Sequence, residues 1–175
     1  AEKMGDRGEI VSCDVHEHKR RLIEAQARRL GLTCVTAIVE DARRLPARFG
    51  EGTFDRILLD APCSGLGVIR RKPDVKWAKR PEDIDRIAAL QSELLHAVAR
   101  LLKPGGILVY STCTVTRQEN EDVVNRFLRE HSDFAPADFP ETVRTALPEA
   151  DNGMAVILPH RFGSDGFFIA RLRKR

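Results

Sequence analysis

The sequence has 175 residues, 42% hydrophobic and 31% charged, with a formal net charge of +3. That length carries one domain with a real core, and the balance is that of a globular chain, with no apolar run near the ~20 residues of a membrane helix. No apolar signal core follows Ala1, and Cys13, Cys34, Cys63 and Cys113 form no C-x-x-C pair; secretion, a disulfide framework and a zinc or other metal site are disfavoured, and reduced thiols in the cytoplasm are expected.

The residues from Glu9 to Asp14 predict a strand that ends in an acid. A helix over His16–Leu30 follows, with Leu22, Ile23, Ala27 and Leu30 on one face and Gly31 as its stop. Cys34–Val39 predicts a second strand, leading into Glu40 and Asp41. Phe54–Asp60 predicts a third, whose Ile-Leu-Leu run suits a strand covered on both faces. Ala61–Lys79 reads as a loop and Pro81–Leu102 as a long helix, which Lys103-Pro-Gly-Gly106 ends. A strand is expected over Ile107–Ser111 and a helix over Glu119–His131, with Val123, Val124, Phe127 and Leu128 inward. Residues 132–153 read as irregular, and Ala155–Leu158 and Phe167–Leu172 as closing strands around a Gly163–Gly166 turn. Such alternation implies an α/β fold with a mainly parallel sheet flanked by helices.

In such sheets ligands bind beyond the carboxyl ends of the strands. Asp14, Asp41, Asp60 and Cys113 stand at four such ends. A single acid there is often only a helix cap, but the set favours a functional reading. Asp60-Ala-Pro-Cys63-Ser-Gly places a cysteine after a stiffened turn, among residues small enough for close substrate approach. Ser111-Thr-Cys113-Thr places a second beyond a strand. Neighbouring strands lie ~4.8 Å apart, so the two thiols can share one pocket. Cys13 and Cys34, inside strands, read as small buried hydrophobes. Gly65-Leu-Gly67 is rejected as a phosphate loop, because it leads into basic residues and Pro73 rather than a helix. Arg70, Arg71, Lys72, Lys76, Lys79 and Arg80 crowd one stretch, and Arg171, Arg173, Lys174 and Arg175 end the chain; both clusters could touch phosphates, or be ordinary solvated surface.

The P-C and T-C motifs, with Asn120-Glu121 after them, resemble those of the RNA cytosine-5 methyltransferases. Gly67-Val-Ile-Arg-Arg-Lys-Pro-Asp-Val-Lys-Trp77, Leu90-Gln-Ser-Glu93, Lys103-Pro-Gly-Gly106 and Asp165-Gly-Phe-Phe168 narrow the resemblance to the bacterial small-subunit ribosomal RNA type (Sun/RsmB/Fmu). The resemblance implies a Rossmann-like class I methyltransferase fold, S-adenosylmethionine as methyl donor and ribosomal RNA as substrate. It implies Cys113 as the nucleophile that adds to cytosine, Cys63 as the residue that helps break the adduct, and Asp60 at the edge of the base. Asp14 matches the acid that holds the donor's ribose and Asp41 the acid beside its adenine, with Asp60 near its methionine end. Arg70, Arg71, Lys72 and Lys76 are candidates for RNA phosphates; Trp77 could stack on a base or anchor its loop in the interior.

The glycine-rich donor loop of this family, of the type Ala-Ala-Pro-Gly-Gly-Lys, has no counterpart within residues 1–175. The expectation is a single, N-terminally truncated catalytic domain lacking its first strand and donor loop, and without a separate RNA-binding domain. Weak donor binding by this chain alone, and self-association through unpaired strand edges, would follow. Three alternatives stay open: a non-catalytic RNA-binding remnant of the same fold, a cysteine hydrolase using His96 or His131, and DNA as substrate.

Overall fold

The computed structural model describes residues 1–78 and 80–175, with the side chain of Ala78 left out. Lys79, one of the basic cluster, therefore lies outside the described residues. The chain forms two compact units, Ala1–Arg48 and Phe49–Arg175.

In the first unit, β1 (Ile10–Asp14) pairs in parallel with β2 (Val35–Val39), and α1 (Glu17–Arg29) connects them. Asp6 ties this unit together: its carboxylate accepts from the backbone N–H of Thr33 and Cys34 and from the Thr33 hydroxyl. Those bonds hold it well below the usual carboxylate range. The expected helix is present, but its apolar face is not buried; Leu22 is 57% exposed. Cys13 and Cys34 are half-buried, not buried as their strand positions suggested. Burial raises the Cys13 pKa, and its thiol donates to the Glu40 carbonyl at 3.2 Å. A short helix, α2 (Leu45–Phe49), leads onward.

The second unit holds β3 (Phe54–Asp60), α3 (Val75–Ala78), α4 (Pro81–Arg100), β4 (Leu102–Thr112), α5 (Glu121–Glu130), β5 (Phe134–Pro136), α6 (Glu141–Ala146), β6 (Met154–Ile157), α7 (Pro159–Phe162) and β7 (Phe167–Lys174). Its sheet runs β3-β4-β7-β5, with β6 also on β7. β3 and β4 are parallel, while β7 is antiparallel to β4, β5 and β6. The sheet is thus mixed rather than mainly parallel. The short connection through Gly163 returns the chain beside β6 as a hairpin instead of crossing over, so β6 and β7 are antiparallel.

Pro81 begins α4, and Asp83 accepts the backbone N–H of Arg80 at 3.0 Å, closing its first turn. Its inward stripe is Gln91, Leu94, Leu95, Val98 and Ala99. Lys174, from the basic C-terminal cluster, is turned inward to cap this end of the structure, donating to the carbonyls of Ala99 and Leu102. The core closes with Leu95, Leu102, Leu108, Tyr110, Val124, Phe127, Phe168 and Leu172, all fully buried. Each large apolar side chain removed from water here contributes about 1.5–3 kcal/mol.

Three departures from the sequence reading have local causes. β4 starts at Leu102, before the expected Ile107, because Leu102 already pairs with Phe54; a register irregularity then absorbs Lys103–Gly106, with Gly105 at φ +76°. β5 and α6 lie inside the span read as irregular. Phe134–Pro136 is too short to show alternation and carries a proline suited to an edge position. Leu58 is 70% exposed, so β3 is not covered on both faces within its own unit.

Candidate active site

The parallel register of β3 and β4 sets Asp60 opposite Ser111. Ser111 Oγ donates to Asp60 Oδ1 at 3.1 Å, and Ala61 N donates to the Ser111 carbonyl at 2.9 Å. The two chains then diverge into loops that carry Cys63 and Cys113. Their sulfur atoms are 3.2 Å apart, within thiol hydrogen-bond distance. Both side chains are half-buried.

Burial pushes the Cys63 thiol up to about 12, and the hydrogen bond and charge of Cys113 add to that effect. Backbone N–H groups of Gly65 and Cys113 oppose it without reversing it. Burial thus keeps the Cys63 thiol neutral near pH 7, and either sulfur of the pair can be the donor of the bond between them.

A third loop closes against these two. Gly67 N donates to the Cys113 carbonyl at 3.0 Å, and Gly166 N donates to the Gly67 carbonyl at 2.8 Å. A Cβ at Gly67 would sit 2.7 Å from the Cys113 carbonyl oxygen and collide with the Gly166 backbone. Glycine is required here by close approach of three backbones, not by a phosphate, which agrees with rejecting the G-x-G as a phosphate loop. Arg71 forms an ion pair with Asp165, whose side chain is only 5% exposed, and Arg70 donates to the Gly163 carbonyl at 3.4 Å. These two arginines fasten the loop. Lys72 and Lys76 remain exposed. Trp77 is 81% exposed, with the Lys76 ammonium 5.0 Å from its ring centre, so it is not an interior anchor.

Behind the thiols lies a buried polar layer that the sequence reading missed. Glu119, Asn120, Gln91, Ser64, Thr112 and Thr114 are all buried. Glu119 Oε1 accepts from Ser64 N at 2.7 Å and from Gln91 Nε2 at 3.2 Å; its Oε2 accepts from Thr116 Oγ1 at 2.7 Å and Thr114 Oγ1 at 3.3 Å. Asn120 accepts from Thr112 Oγ1 and donates to the Thr114 carbonyl. Tyr110 donates to the Glu119 carbonyl at 2.7 Å, and burial followed by the Glu119 charge raises its pKa. A signal existed in Gln91, a polar residue in the middle of the apolar stripe of α4.

In the first unit Asp14 ends β1, and its Oδ1 accepts from His16 N at 2.8 Å. Asp41 follows β2, accepts from Arg43 N and pairs with the Arg43 guanidinium, which lowers its pKa. His96 has one ring nitrogen on the Ser92 carbonyl and the other on Glu130, and it packs 4.9 Å from His131, an arrangement that gives no support to a thiol–imidazole hydrolase.

The chain is 50% identical over 180 residues to the "Probable ribosomal RNA small subunit methyltransferase B" of Bacillus subtilis, covering 100% of this chain and 40% of the relative. It is 41% identical over 169 residues to ribosomal RNA small subunit methyltransferase B of Yersinia pseudotuberculosis, covering 97% of this chain and 37% of that one. The chain thus spans about two fifths of the length of these curated relatives. Its backbone matches the crystal structure of NSun6 from Pyrococcus horikoshii with SFG at a TM-score of 0.82 and 34% identity, over 99% of this chain and 43% of that one. Residues 1–173 match the family described as 16S rRNA methyltransferase RsmB/F, and the chain belongs to that family.

Proposed function

We propose that residues 1–175 form the core of a catalytic domain that methylates carbon 5 of a cytosine in 16S-type ribosomal RNA through a covalent cysteine adduct. The observation that carries this reading is the thiol pair: two sulfurs 3.2 Å apart, on loops that leave the carboxyl ends of the paired parallel strands β3 and β4. The names of the curated relatives agree with this substrate class.

Cytosine carbon 5 is a weak nucleophile until a thiolate adds to carbon 6. Cys113 supplies that thiolate, and the protonated Cys63 donates to its sulfur while it carries charge. Asp60 holds the ring nitrogen that gains charge on addition, and it can donate there only while it carries a proton. S-adenosylmethionine, when bound, supplies an electrophilic methyl group. Once Cys113 is a thioether, its charge and its hydrogen bond no longer raise the Cys63 pKa. Cys63 then gives up its own proton to solvent, and the thiolate it becomes takes the proton from carbon 5. The C–H electron pair reforms the ring double bond, the carbon 6–sulfur bond breaks, and Cys113 leaves as thiolate. The base must reach these side chains unstacked, so a flipped or single-stranded cytosine is expected.

The residues of the first unit fit the donor chemically. Asp14, oriented by His16 N at a strand end, offers acceptor oxygens for the ribose hydroxyls. Asp41 is the acid for the adenine edge, where Arg43 competes for it. Lys72 and Lys76 are assigned to RNA phosphates, with Arg70 and Arg71 giving part of their capacity to the loop they fasten.

The test is trapping of the full-length protein on RNA containing 5-fluorocytosine, with donor present. A denaturant-stable adduct is expected for the unaltered protein and none for Cys113→Ala. Cys63→Ala should accumulate an adduct on ordinary RNA, because addition proceeds and release fails. RNA binding that survives every substitution, without any adduct, would sink the catalytic reading in favour of an RNA-binding remnant.

A further inference from the structure

Cys63 and Cys113 stand on loops 50 residues apart in sequence, yet their sulfurs are held 3.2 Å apart. The two loops meet through one buried group. Glu119 is fully buried and binds the immediate neighbour of each cysteine, Ser64 through its backbone N–H and Thr114 through its hydroxyl. Ser64 Oγ and Thr114 Oγ1 are themselves 2.9 Å apart. Gln91 spans from Glu119 to the Pro62 carbonyl, and Thr116 brings the outgoing chain back to the same carboxylate. A buried carboxylate is strongly unfavourable unless its oxygens are hydrogen-bonded. Here four donors converge on it from both cysteine loops, α4 and the turn before α5.

We propose that Glu119 is a positioning residue that sets the separation of the Cys63 and Cys113 sulfurs, and that it acts through its hydrogen bonds, not by transferring a proton. The proposal rests on the reading that this thiol pair performs the methyl-transfer chemistry. It makes a specific distinction between variants. In Glu119→Gln, the amide oxygen still accepts from Ser64 N and Gln91 Nε2. The amide nitrogen then donates to Thr114 and Thr116, whose hydroxyls can accept as well as donate. In Glu119→Ala all four donors lose the carboxylate, and only Gln91, on the Pro62 carbonyl, and the threonine hydroxyls, on Ser64 and on each other, keep a partner.

The experiment uses the full-length protein and two readouts. Phenylarsine oxide bonds to two thiols at once, forming two As–S bonds with release of water, so its rate of bridging reports sulfur separation. The bridged Cys63–Cys113 peptide is followed by mass spectrometry. The second readout is steady-state methyl transfer to RNA. Glu119→Ala should lower both the bridging rate and kcat on the order of 10²-fold, with KM for RNA little changed. Glu119→Gln should stay within about fivefold of the unaltered protein in both. Bridging by Glu119→Ala at the unaltered rate would overturn the proposal, as would a Glu119→Gln as impaired as the alanine variant. If Glu119→Ala fails to fold, Thr116→Val and Thr116→Ser decide: the valine should slow bridging about fivefold and the serine restore it, and equal rates for the two would overturn it. Bridging that follows this pattern in a protein without methyl transfer would leave the positioning role standing and remove the functional reading.

Discussion

At Cys63 burial, and then the hydrogen bond and charge of its single neighbour Cys113, act in the same direction. With its pKa pushed up to about 12, the Cys63 thiol is overwhelmingly protonated at pH 8. Iodoacetamide at pH 8 should therefore label Cys63 slowly, with a rate that keeps rising with pH toward 12, because only the thiolate reacts. Cys113→Ala removes the hydrogen bond and charge of its partner, so Cys63 should then label faster at the same pH; peptide mapping reads both. Gly67 makes a different prediction. Gly67→Ala forces a Cβ against the Cys113 carbonyl and the Gly166 backbone, and the loops have to separate. Methyl transfer should fall on the order of 10²-fold, with a smaller effect on melting temperature. A Gly67→Ala protein of normal activity would show that the three-loop junction does not govern Cys113. At this scale the cysteines and Asp60 were legible because they follow strands. Glu119 was not, because an acid at the start of a predicted helix reads locally as a favourable first-turn charge.

At the scale of elements, residues 61–77 divide into a fastened part and an exposed part. Arg70 and Arg71 bind the Gly163–Asp165 turn, whereas Lys72, Lys76 and Trp77 face solvent. Lys72→Ala and Lys76→Ala should each weaken RNA binding and reduce the salt slope of log K by about 0.7 if the contacts are to single-stranded phosphates. Trp77→Ala should weaken binding by ~1–3 kcal/mol with an unchanged slope, the mark of lost stacking. Arg71→Ala should reduce activity more than affinity, since it frees Asp165 and the loop. Fluorescence anisotropy across a salt series separates these outcomes, and unchanged slopes for both lysines would remove the phosphate assignment. The sequence showed the cluster but not this division, because the partner of Arg71 lies 94 residues away.

At the scale of the whole molecule, each unit has a strand paired on one side only among the described residues: β1 binds β2, and β3 binds β4. Unpaired strand edges present rows of donors and acceptors that invite association. Exposed Leu22 and Leu58 add apolar surface. Sedimentation equilibrium of the 175-residue chain should show a weight-average mass that rises with concentration. A constant monomer mass would mean that these edges are not available. No helix among the described residues is long and apolar enough to cross a membrane.

What the sequence by itself determined is the succession of the longer strands and helices, the acids and thiols at strand ends, and the family. Those features are written in local periodicity, turn chemistry and short motifs, all readable within a few residues. What only the tertiary structure decided is the mixed sheet, the 3.2 Å approach of Cys63 to Cys113, the diversion of Arg71 and Lys174 from the surface clusters, and the convergence of four donors on Glu119. Each of these is a contact between residues distant in the chain. Local pattern cannot specify it, because it exists only after β3, β4 and β7 have paired and burial has made an unbonded polar group too costly to keep.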